Sequence, residues 1–170
     1  MIATLLTLIL AQDMTAKPVQ EHALLKKFEG EWDSVAKFMM EPGKEPVPAK
    51  GKESCKLIMG GLFLVTSVDS EMFGGKFFGH GVLGYDIQKK KYTGSWVDSL
   101  NTAIYRVEGA LEGNVLTERL ESTEPETGAP LKLRLVHELK DADHRTMRVF
   151  VTMPDGNEVE TGSIAYTRRK

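Results

Sequence analysis

Cysteine is nearly absent from this chain: among 170 residues, Cys55 carries the only thiol. That excludes an intrachain disulfide and any cysteine-rich metal site. Nothing around Cys55 in the sequence lowers a thiol pKa, so it reads as a small residue on a strand face. Runs of one charge are scarce as well. The longest basic run, Lys89-Lys90-Lys91, falls in an expected turn, and a net charge of −2 with pI near 6.1 leaves no footprint for nucleic acid. The histidines, His22, His80, His137 and His144, show no H-x-H or H-E-x-x-H spacing, so no zinc site is expected. Also missing are a Walker loop, a G-x-G-x-x-G at a strand-to-helix junction and a G-x-S-x-G elbow. Gly79-His80-Gly81 with Gly84 mimics a glycine-rich string but lies inside a strand pattern.

No apolar run is long enough to span a bilayer. Ile2 to Ala11 has the length of a signal-peptide core, so stable membrane insertion is not expected. Ala11 suits the position before a cleavage site. No Lys or Arg precedes the run, and Ile9 is a mediocre residue three positions before the cut. The reading is an exported protein, periplasmic or secreted, with a cytoplasmic protein starting at Met14 as the alternative. Residues 1–17 are therefore set aside as a signal peptide or disordered tail, and 18–170 are treated as one domain.

What remains is ordinary in bulk, with 41% hydrophobic and 27% charged residues, enough for one sizeable core. Pro18 to Phe28 has a helical stripe of Ala23, Leu24, Leu25 and Phe28, with Gly30 as its expected C-terminal cap. From Trp32 the period changes to two: Trp32, Ser34, Ala36, Phe38 and Met40 share one face. Residues 41–50 carry Pro42, Gly43, Pro46 and Pro48 and read as a loop, a candidate lid, with 122–130 a second loop of similar character. Further strands are expected at 51–59, 62–72, 76–86, 91–99, 102–112, 114–122, 131–140, 144–153 and 157–167. Short turns link them, and Pro154-Asp155-Gly156-Asn157 is a strong hairpin signal. The fold class is all-β: about ten antiparallel strands in an up-and-down barrel, lipocalin-like, with a short N-terminal helix closing one end. A β-sandwich is the alternative. Strand 62–72 has an ambiguous parity.

An ordered series of short pieces carries a resemblance. Glu21-His22 through Leu25, Gly30-Glu31-Trp32, Gly60-Gly61, Gly79-His80-Gly81, Gly84-Tyr85-Asp86, Trp96-Val97-Asp98-Ser99 and Ile164-Ala165-Tyr166-Thr167-Arg168 resemble domain-of-unknown-function family 1579 over roughly residues 20–168. The resemblance implies a lipocalin-like or nitrobindin-like barrel and no particular activity. A G-x-W followed by ten strands is also similar to the nitrobindins, which hold haem, and that likeness implies haem as a cofactor to be tested. In lipocalin-like barrels the G-x-W tryptophan closes one end and stacks on an arginine of the last strand. Trp32 and Arg168 match, with Arg169 the alternative partner, in a structural role of cation–π contact and donation to carbonyls.

Five residues are candidates for ligand binding. His137 shares its face with Leu131, Leu133, Leu135 and Leu139; an inward imidazole would bind haem iron, hold a ligand or move a proton, or else be a core histidine satisfied by a neighbour. His80, between glycines, has room for a ligand beside it, or lies outside while the glycines serve strand coiling. Trp96 and Asp98 share a face with Tyr92 and Gly94 and would make an amphipathic pocket, unless Asp98 caps the turn at Asn101. Tyr105, with Tyr85, is a lining aromatic. His22 and His144 read as exposed or capping residues. Glu118, Glu121 and Glu138 are interleaved with Arg and Lys and read as a solvated face. No catalytic residue is assigned, because no pair of residues demands an enzyme. The functional expectation is a barrel, monomer or homodimer, holding a small apolar or amphipathic molecule, its eight methionines giving an adaptable lining. Haem binding and a packed, ligand-free interaction module are the competing readings.

Overall fold

Alternation of buried and exposed side chains organises the molecule: along the first strand it reads Trp32 in, Asp33 out, Ser34 in, Val35 out, Ala36 in. The structure is a computed structural model that describes residues 15–39, 46–72 and 74–170, apart from the side chain of Val47. The apolar run at 1–11, Met40 and the start of the proline-rich loop, 41–45, lie outside the described residues.

A 3₁₀ turn, Gln20–His22, leads into α1, Ala23–Phe28. Ten strands follow: β1 (Gly30–Phe38), β2 (Val47–Ile58), β3 (Phe63–Met72), β4 (Gly75–Asp86), β5 (Lys91–Asp98), β6 (Tyr105–Glu112), β7 (Val115–Thr123), β8 (Pro130–Leu139), β9 (His144–Thr152) and β10 (Glu158–Arg168). Each pairs antiparallel with its sequence neighbour, and β1 pairs with β10, so the sheet closes into a barrel. Closure removes the edges that a β-sandwich would leave, and that alternative falls with the register from Trp32↔Arg168 to Phe38↔Gly162.

Among the boundaries that differ from the sequence expectation, three have a clear physical reason. The helix begins at Gln20 rather than Pro18, because Val19 is extended and its N–H donates to His22 Nδ1 at 3.0 Å. His22 is thus a capping residue but buried, not exposed. Residues 47–50 belong to β2, not to a loop. They pair with β1 alone, since the register with β3 starts at Gly51, so Pro48 sits where the strand has one neighbour. Finally, β6 starts at Tyr105, because Asn101 organises the preceding loop. Its side chain accepts from the Ala103 N–H at 2.9 Å and donates to the Thr123 carbonyl at 3.0 Å.

The helix closes one end of the barrel. Leu24, Leu25 and Phe28 are buried against Trp32, Cys55, Leu64 and Leu116. Each such side chain contributes about 1.5–3 kcal/mol when fully buried. Tyr92 ties the turn down by donating from its hydroxyl to the Glu21 carbonyl at 2.8 Å. Gly30 opens β1 at a φ of +127°, and a side chain there would collide with the Arg168 guanidinium. Gly30 directly follows the C-cap Glu29, so the same glycine also ends the helix.

Candidate ligand-binding cavity

The inward faces of the strands enclose a cavity of about 440 Å³. Strand parity decides which side chains reach it. From β3, the strand of ambiguous parity, Leu64, Thr66, Val68, Ser70 and Met72 point in. β7 sends Leu116, Glu118 and Leu120; β8 sends Leu133, Leu135 and His137; β9 sends Arg145, Met147, Val149 and Val151. The cavity reaches the barrel end opposite the helix, where Met39 and Leu100, which line it, are about half exposed.

Four of the five candidate residues sit on this cavity. The Trp96 indole N–H donates to Asp98 Oδ2 at 3.0 Å, and Asp98 Oδ1 accepts from the Leu100 N–H at 2.9 Å. Asp98 therefore caps the turn and faces the cavity at once. Tyr105 is Trp96's cross-strand partner; burial raises its pKa, with Asn101 donating to its hydroxyl at 3.2 Å. His137 is buried at the floor. His80 does not join them: it is exposed on the outer face, 3.0 Å from Ser67 Oγ. The room left by Gly79 and Gly81 lies inside and is filled by the Trp96 ring, which a Cβ at either position would strike. Tyr85 packs edge-on against Tyr92 and His22 beneath the helix turn, not on the cavity wall.

The floor holds polar groups that parity alone would have flagged. Glu118 is not on a solvated face; it follows Leu116 and precedes Leu120 on the inward side, buried 2.9 Å from His137 Nε2. Gly109 opposite leaves space for it, since a Cβ there would crowd Glu118 Cγ. Arg145 is 2% exposed and bonded to Glu53, whose carboxylate also accepts from Cys55 Sγ at 3.1 Å. The guanidinium carbon stands 3.6 Å from the Tyr166 ring centroid, 4.9 Å from Trp32 and 5.1 Å from Phe28. A buried guanidinium is tolerable here because a carboxylate and three ring faces surround it. Burial, then the Glu53 carboxylate, pushes the Cys55 thiol and the Tyr166 hydroxyl well above their ordinary pKa values, so neither is a nucleophile at neutral pH.

Below the floor lies the closing clasp. Trp32 is 1% exposed and donates from Nε1 to the Phe28 carbonyl at 2.8 Å. The Arg168 guanidinium lies 4.1 Å from the Trp32 ring and donates to the carbonyls of Lys27, Glu29 and Ala142. Those carbonyls include the ones a helix end leaves unsatisfied. Arg169 instead reaches Asp33 at 3.7 Å on the surface.

The inward histidine does not suit haem iron as it stands. His137 Nε2 is held by Glu118, and Nδ1 is buried without a partner beside the Phe28 ring, at 5.8 Å between centroids. Iron needs an imidazole nitrogen facing open space. Among the described residues no group of three His, Cys, Asp or Glu side chains is placed to hold a metal ion.

Fold and site together define a closed ten-strand antiparallel barrel around an internal cavity. The chain belongs to the family described as "Protein of unknown function (DUF1579)", whose model matches residues 17–168. Among solved structures it is similar to the crystal structure of Rv2717c from M. tuberculosis, with 13% identity and a TM-score of 0.66 over 91% of this chain and 100% of that one. It is also similar to a redesigned β barrel, at 11% identity and a TM-score of 0.48 over 91% of this chain and 100% of that one. At such identity the likeness to Rv2717c shows fold alone. No curated protein matches the chain.

Proposed function

We propose that this protein binds a small, mostly apolar molecule inside the barrel. The observation that supports this reading is the cavity itself. At about 440 Å³ it is large enough for a small ligand, and Leu, Val, Met and aromatic side chains make up most of its wall. A packed interaction module would have filled that space with its own side chains. The cavity also opens at one end, which gives a ligand a way in.

The test is mass spectrometry of small molecules released when the purified protein is denatured, with titration of the apolar fluorophore N-phenyl-1-naphthylamine alongside. A stoichiometric released molecule, or saturable uptake of the fluorophore lost in Leu120→Trp, supports the reading. Leu120 is buried on the cavity wall, so a tryptophan there would occupy the space. No uptake, and an empty release after incubation in host extract, would overturn it in favour of the interaction module.

A further inference from the structure

The floor of the cavity says which end of a ligand goes in first. It brings two carboxyl groups, one guanidinium and one imidazole to the closed end of an otherwise apolar chamber. Arg145 and Glu53 are matched to each other. Glu118 is the second acid, and it spends Oε2 on His137 while Oε1 has no hydrogen-bond partner among the described residues. Its side chain is 11% exposed, and that exposure is to the cavity it lines. A buried carboxylate with a free oxygen facing an apolar space is an acceptor in need of a donor.

We infer that the cavity takes an amphiphile whose head donates a hydrogen bond to Glu118, a primary amine ahead of an alcohol, with its alkyl tail running toward Met39 and Leu100. This rests on the binding function proposed above and assigns the ligand class to it. The geometry turns away the opposite class, a fatty acid. Arg145 would be the natural anchor for a carboxylate, but Glu53 occupies its end, three rings cover its faces, and its Nε, which has no partner among the described residues, is buried out of reach. A carboxylate head would instead meet Glu118, charge against charge. An ammonium head meets a carboxylate whose partner among the described residues is one imidazole, with no Lys or Arg bonded to it, and a charge-assisted bond away from water is about twice as strong as a neutral one. The contact with His137 holds Glu118 in the space that Gly109 leaves, so the acceptor is preorganised.

The experiment is displacement of N-phenyl-1-naphthylamine from the purified protein by decylamine, decanol, decane and decanoic acid, in wild type, Glu118→Gln and the outer-face control Glu121→Gln. In wild type and the control, decylamine should bind tightest and decanoic acid weakest, with about tenfold or more between them. Glu118→Gln should lose that spread while keeping affinity for decane. The wild-type order alone tests the idea should Glu118→Gln fail to fold. Equal affinity for all four, or a preference for the acid, overturns the headgroup assignment and leaves the binding function standing. A fluorophore that never binds, together with an empty release on denaturation, removes the binding function, and the assignment falls with it.

Discussion

At the helix end the barrel buries Trp32, Arg145 and Leu25 almost completely, while at the other end Met39 and Leu100 stay about half exposed. The helix end spends polar groups on one another: Arg168 on backbone carbonyls, Arg145 on Glu53, Tyr92 on Glu21. At the open end, among the described residues, side-chain bonds mostly hold turns and loops, as from Asp98 to Leu100 and from Asn101 to Ala103 and to the Thr123 carbonyl. Interactions removed from water and mutually satisfied cost most to break. The contrast teaches that buried polar partnering is concentrated at the closed end; on the binding function proposed above, the open end is where a ligand would enter and leave.

The sharpest way to break this contrast is Arg145→Ala, which strands Glu53 beneath three aromatic rings. A loss of about 3–5 kcal/mol is expected, measured by urea unfolding. The double change Arg145→Met with Glu53→Gln should recover most of it, since no uncompensated charge stays buried. Arg168→Ala should cost about 2 kcal/mol, from one cation–π contact and its carbonyl bonds, and should leave fluorophore binding intact. A melting temperature equal to wild type would remove the clasp from the account. Leu100→Ala, at the mouth, should change stability by no more than about 0.5 kcal/mol but alter fluorophore exchange rates in stopped flow.

A pH titration sharpens the same point at the helix end. Burial, followed by the neighbouring Tyr85 and Glu21, pushes Tyr92 from 10.0 up to about 12. The unfolded chain would release this proton near the lower value and the folded chain near the higher. Between them the folded state holds more protons, so stability is full below about pH 10 and falls as pH rises toward 12. Tyr92→Phe should flatten part of that alkaline slope.

Much of the barrel was legible because alternation is local. The set Trp32, Ser34, Ala36 and Phe38 announces its face without any partner strand, and the four leucines around His137 do the same. The clasp was readable through the likeness to lipocalin-like barrels, which pairs a tryptophan placed as Trp32 is with an arginine ending the last strand. What escaped were the pairs made across the barrel. Glu53 and Arg145 stand 92 positions apart, and only closure brings them together. Glu118 was hidden by its company: Arg119 and Glu121 beside it point outward, and mixed charge masks a single inward acid. His80 was misplaced because its glycines signal a need for space without saying on which side of the sheet.

The bond from Arg168 to the Lys27 carbonyl joins positions 141 residues apart, and the seam between β1 and β10 spans nearly the same stretch. Such distant partners give the β1–β10 seam a high loop-closure cost during folding. Until β10 emerges from the ribosome, β1 has one side without a neighbour, a ready template for other chains. Growth of the polypeptide from one end thus imposes a waiting period, and quality control has that interval in which to act.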